Sequence, residues 1–164
     1  RHGDFDAYWI VPTFNRPILK DGKLLIHYNG RAEPHTQPGF KRVPPGTSGA
    51  FAVSTLREDG FVSLDATGNT GVLETKALKL PKKRGVLQVN ACPFDTRKGC
   101  APMDLNVEIL SAEYDVLAEF PSVSHNENGI WLSFEIAREL PDTVRLRFSL
   151  SNARLYSFRF QESI

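Results

Sequence analysis

The feature that most restricts what this chain can fold into is its last long stretch, VRLRFSLSNARLYSFRF (144–160), where apolar and polar residues alternate on both sides of a short turn. Side chains of a strand point alternately to opposite faces, so Val144, Leu146, Phe148 and Leu150 share one face and Arg145, Arg147 and Ser149 the other. After Ser151-Asn152-Ala153, Tyr156, Phe158 and Phe160 resume the apolar side. The pattern predicts two antiparallel strands paired through the turn, with one buried face that takes in all three aromatic rings.

The same pattern recurs upstream. Leu105, Val107 and Ile109 alternate with Asn106 and Glu108, and Ile130, Leu132, Phe134 and Ile136 alternate with Trp131, Ser133 and Glu135. Short strands are predicted near 61–65, 72–79, 86–91, 104–110, 116–120, 130–137, 143–150 and 154–161, separated by Gly, Pro, Asn and Asp. The best helical candidate, IARELPD, reaches Pro141 within a few residues. About eight strands at this spacing specify an all-β chain forming an antiparallel β-sandwich or jelly roll.

The first sixty residues differ. FDAYWIVP, KLLIHYNG and AFAVSTLRED read as three strands, with Pro17 and an Asp21-Gly22 turn between the first two. GRAEPHTQPGFKRVPPGTSG, rich in Pro and Gly, separates the second from the third; a loop of that length in a compact domain is usually functional or disordered. A three-stranded meander is most of one β-propeller blade, and a lone blade cannot bury its own faces. The division expected is a partial blade over 1–60 and a C-terminal sandwich over 61–164.

At 164 residues the chain is long enough to bury a sizeable core. Its 20 Lys and Arg nearly balance 19 Asp and Glu, which gives no electrostatic case for a nucleic-acid or anionic-membrane partner. The arginines of the last strands and Lys82-Lys83-Arg84 read as a solvated face and a turn. No apolar run approaches the roughly 20 residues that span a bilayer. The chain opens on Arg1-His2-Gly3-Asp4 without a signal peptide, so a secreted protein is expected here in a mature or trimmed form.

Cys92 and Cys100 stand close together in ACPFDTRKGC. Proximity favours a disulfide closing a loop of about nine residues, worth roughly 2 to 3 kcal/mol, and with it an extracellular or periplasmic location; two free thiols at a hairpin tip are the alternative. No CxxC or CxxH spacing occurs, and His2, His27, His35 and His125 are scattered. No cofactor is expected. A structural calcium ion among loop carboxylates remains open, with no ligands singled out.

Several phrases in fixed order, STLREDGFVSLDA (54–66), GVLETKAL (71–78), LQVNA (87–91), LNVEIL (105–110) and VRLRFSLSNARLYSFRF, resemble the C-terminal part of bacterial proteins related to glycoside hydrolase families 32 and 43. In that group a five-bladed propeller precedes a β-sandwich, and the phrase similar to LREDGFVSLDA marks the passage between them. GDFDAYWIVPTF and LLIHYNG resemble the closing strands of the propeller. The cysteine loop after LQVNA is longer than the resemblance implies, and SHNENGIWLSF lacks the acidic residue expected before its strand.

The chemistry follows from what such proteins need. Glycoside hydrolysis uses two carboxyl groups about 5 to 9.5 Å apart across a sugar, and a full propeller takes roughly 200 to 250 residues. The chain has material for one blade, so alone it is not expected to be catalytic. As part of a larger enzyme it would bring Asp4, Asp6 and His35 nearest the funnel, although Asp4 and Asp6 also read as a charged turn, and Arg57 and Asp59 as an ion pair or turn at the domain junction.

Sugar binding without catalysis uses flat aromatic faces beside amides or acids. Trp131, on the face shared with Ser133 and Glu135, meets that need, and Trp9 beside Tyr8 is a second candidate; the other reading is that these rings cover an inter-domain contact. The role expected is a non-catalytic accessory module whose partner is carbohydrate, a propeller domain or a companion chain. The alternatives are a fragment of an active glycosidase and an extracellular assembly protein that docks through strand edges.

Overall fold

The computed structural model describes residues 4–32, 49–80, 83–95, 101–125 and 130–161. All regular structure among them is β: β1 (Trp9–Pro12), β2 (Ile18–Lys20), β3 (Lys23–Arg31), β4 (Gly49–Arg57), β5 (Leu64–Ala66), β6 (Gly71–Glu74), β7 (Leu78–Lys79), β8 (Gly85–Pro93), β9 (Met103–Leu110), β10 (Val116–His125), β11 (Ile130–Ile136), β12 (Thr143–Ser151) and β13 (Ala153–Gln161). The chain divides into two compact units, Arg1–Glu58 and Asp59–Ile164.

In the first unit β3 is central. β4 pairs with it along nine residues on one side, while β1 and β2 share the other, β1 opposite residues 28–31 and β2 opposite 23–25. Asp21 (φ 51°) and Gly22 (φ 68°) are both left-handed, the requirement of the two-residue turn that joins twisted hairpin strands, and they connect β2 to β3. The short β2, next to Pro17, was not expected from the sequence, because three residues carry too little alternation to register.

Apolar residues occupy both faces of this sheet. Register places Val11, Ile18, Phe51 and Val53 on one face and Ile10 and Leu19 on the other, all exposed, with Phe51 at 81%. Along β3 only Gly30 is buried. It lies under the segment before β1, where a Cβ would come within 2.6 Å of the Asp6 Cβ, so glycine is needed for the close approach.

The second unit holds the core. One sheet runs β10-β9-β12-β6, with β7 also against β12, and the other runs β11-β8-β13-β5. Between them lie Leu87, Val89 and Ala91 of β8, Leu105, Val107 and Ile109 of β9, Leu132, Phe134 and Ile136 of β11, and Val144, Leu146, Phe148 and Leu150 of β12, all buried. Aromatic pairs connect the sheets, Phe120 to Phe134 at 5.1 Å and Phe148 to Phe158 at 5.6 Å between ring centroids. The arrangement is an all-β, sandwich-like antiparallel fold.

Two expectations about the final strands need correction. β12 and β13 do not pair with each other: β12 bonds β9, β6 and β7, and β13 bonds β8 and β5. Asn152, left-handed at φ 47°, is the single residue between them and turns the chain from one sheet into the other. A hairpin and a sheet-to-sheet corner both leave alternation intact, so the pattern does not separate them. Tyr156 is also not a core residue. The β13–β8 register slips between Leu155 and Ser157, and this bulge leaves Tyr156 half-buried outside the inward row, while Phe158 and Phe160 return to it.

The disulfide expected from proximity is not formed at Cys92, which is a free thiol 4% exposed near the end of β8. Its Sγ lies 3.4 Å from the Pro93 carbonyl oxygen and 3.8 Å from the Tyr156 hydroxyl; Cys100 lies outside the described residues.

The outward arginines are more engaged than a solvated face requires. Arg147 donates to Glu74 at 2.7 Å and to Glu108 at 3.1 Å, tying β6, β12 and β9 together, and these carboxylates raise its already high pKa. Arg145 lies over the Tyr114 ring at 4.5 Å.

Replacing Phe148, fully buried between the sheets, by Ala should destabilise the second unit by about 3 to 5 kcal/mol, read as a shift in its urea midpoint at unchanged slope.

Candidate functional site

The outer face of the β11-β8-β13 sheet carries the polar groups best arranged to receive a ligand. Once Leu132, Phe134 and Ile136 belong to the inward row of β11, Trp131, Ser133 and Glu135 must face outward. Register then lines up three rows across the sheet: Trp131, Asn90 and Ser157; Ser133, Gln88 and Arg159; Glu135, Val86 and Gln161.

The middle row is a chain of hydrogen bonds. Arg159 Nε donates to Gln88 Oε1 at 2.9 Å, which turns the amide so that Gln88 Nε2 donates to Ser133 Oγ at 3.2 Å. The Arg159 guanidinium also lies over the Trp131 ring, 4.1 Å from its centroid. Trp131 is half-buried, so the surface offered is an indole capped by a guanidinium and not a bare ring. Ser133 and Glu135 are exposed beside it. An amide, a hydroxyl, a carboxylate and a guanidinium next to an aromatic ring can hydrogen-bond a polyol in both directions while shielding its apolar side. Asn90, one row over, is 1% exposed.

Gln88 and Arg159 were not singled out in the sequence. Their alternation places both outward, but only the register brings them beside Ser133 and Trp131.

The other candidates lie in the first unit. Trp9 is half-buried with the Arg31 guanidinium 5.7 Å from its ring centroid, and Tyr8 is 45% exposed, its backbone amide bonded to the Arg31 carbonyl. Asp4 is exposed in a turn that its carbonyl closes by accepting from the Ala7 amide. Asp6 accepts the Tyr28 hydroxyl at 2.8 Å, and Phe5 stacks against the same ring at 6.2 Å. His35 lies outside the described residues. Asp6 therefore has a structural task, anchoring the segment that crosses Gly30. Asp59, left-handed at φ 51°, accepts from Ser157 Oγ at 3.5 Å.

Among the described residues no three His, Cys, Asp or Glu side chains converge on a point where a metal ion would sit. No protein-family model matches the chain, and no curated protein matches it.

The bond to Asp6, with desolvation and the negative carboxylate adding to it, holds the Tyr28 phenol above the usual tyrosine range. A raised folded pKa means that this contribution to stability is complete below the unfolded tyrosine pKa and is lost as pH rises through the folded one. Asp6→Asn removes the negative charge and should lower the Tyr28 pKa towards the ordinary range, as followed by NMR titration of ring-labelled tyrosine.

Proposed function

We propose that the chain serves as a non-catalytic β-sandwich module of a glycoside-hydrolase-like carbohydrate-active protein, working outside the cell or in the periplasm, and that it holds glycan on the outer face of the β11-β8-β13 sheet. The observation that carries this reading is the ordered row Arg159, Gln88 and Ser133 against Trp131. Its side chains are already oriented by one another, so a sugar that replaces water there meets little additional ordering cost.

The accessory part of the reading is supported by the first unit. Its sheet exposes apolar residues on both faces, as expected of a blade that takes its stability from neighbouring propeller sheets or a companion chain. The resemblance to the glycoside hydrolase group supplies the carbohydrate class. The non-catalytic part of the reading is supported by Asp6, a funnel candidate, being engaged with the Tyr28 hydroxyl.

Screening the full chain on a glycan array and repeating the hits by titration calorimetry tests the reading. Trp131→Ala should weaken binding about tenfold, because it removes the ring on which the Arg159 guanidinium is seated, and Gln88→Ala by several-fold. Glu119→Ala, on the other sheet, should leave it unchanged. Absence of any glycan binding, or binding indifferent to Trp131→Ala, overturns it.

A further inference from the structure

The described sheet of the first unit has two unequal faces. One is crossed by the segment before β1, where Phe5 and Asp6 stand over Gly30 and Tyr28. The other is open: Val11 is 42% exposed, Val53 50%, Ile18 52% and Phe51 81%. Register sets Val11, Asn29 and Phe51 in one row across it, and His27 and Val53 in the next, which Thr13 joins through the bond from its amide to the His27 carbonyl.

The charges on the open face have one sign. Arg31 lies at one end, His27 in the middle, and Lys20, Lys23 and Arg57 at the other end, while the four strands contain no Asp or Glu. Asp21 and Glu58 follow Lys20 and Arg57 in the chain, outside the strands, and leave that end cationic on balance. From Arg31 to Lys23, β3 runs about 27 Å. A second copy of the same face would therefore set cations against cations.

Three polar atoms decide between a lipid and a protein cover. Thr13 Oγ1, Asn29 Oδ1 and Arg31 Nε, all on this face, are out of contact with solvent and have no hydrogen-bond partner among the described residues. Hydrocarbon laid over the face offers them nothing, whereas a protein surface brings polar groups to which these side chains can turn as it seats.

Resting on the reading of this unit as a sheet that takes its stability from a neighbour, we propose that the open face docks a sheet of a companion protein chain. The facing strand of that companion is apolar at alternate positions over Val11, Ile18, Phe51 and Val53. It carries carboxylates about eight residues apart, one for Arg31 and one for Lys20 or Lys23.

The test uses the full chain, tagged and expressed in its native cells, and a carbodiimide, which joins amines only to carboxylates in direct contact. The expected product couples Lys20 or Lys23 to an Asp or Glu of another protein, within a stretch whose alternate residues are apolar. Benzoylphenylalanine in place of Val53 should photolabel the same stretch. Phe51→Asp, at an exposed position that leaves the sheet intact, should remove both products, and Lys20→Glu with Lys23→Glu should cut photolabelling about tenfold at low salt and less at high salt. No coupling, coupling to a second copy, or a coupled stretch without apolar alternation overturns the proposal. So does binding of the purified chain to phosphatidylcholine–phosphatidylglycerol vesicles that Phe51→Asp abolishes, since the cover would then be lipid. Glycan titration of the same material separates the two readings: lost coupling with glycan binding intact overturns this proposal alone, and lost glycan binding with coupling retained overturns the glycan site alone.

Discussion

The burial of one alternating face between two sheets is the constraint on which the rest of this structure depends. Phe148 is its centre: it lies in the strand that pairs with three others in one sheet, and its ring packs on Phe158 of the opposite layer. The corner at Asn152 makes that contact possible, because one left-handed residue sends consecutive strands into facing sheets and so sets their apolar rows against each other. A hairpin at the same place would put both rows side by side in one sheet and leave the opposite layer without its central strand.

The outer surfaces follow from that inner one. With a period of two, fixing which residues face inward also fixes which face out, and pairing register then decides which outward residues become neighbours. On one sheet this produces the Glu74, Arg147 and Glu108 network, a carboxylate on each side of a guanidinium. On the other it produces Arg159, Gln88, Ser133 and Trp131, where neutral hydrogen-bonding groups replace both carboxylates and an indole is added. The two faces differ in chemistry for that reason: the first satisfies itself with opposite charges, and the second presents hydrogen-bonding groups beside an aromatic ring.

Among its described residues the first unit is a single sheet of the same strand chemistry. Its ladder is regular, with nine continuous pairs between β3 and β4, yet its apolar side chains remain exposed and its one buried residue in β3 is a glycine. Local order there comes from hydrogen bonds, the Asp21-Gly22 turn and the Tyr28 to Asp6 clamp. Such a sheet gains stability from surfaces brought to it, in keeping with the proposal that it works beside other sheets.

Much of this was legible in the sequence. Alternation in 105–110, 130–136 and 144–150 identified the strands and their inward residues, and Asp-Gly identified its turn, because side-chain direction in a strand and left-handed backbone geometry are local properties. What alternation does not contain is partner identity, since a strand obeys the same pattern whichever neighbour it bonds. Tertiary structure alone therefore placed β12 and β13 in different sheets, inserted the bulge that removed Tyr156 from the core, kept Cys92 as a buried thiol, and brought Gln88 and Arg159 to Trp131. Each of these depends on contacts between residues far apart in the chain, and such contacts are selected by how whole layers pack.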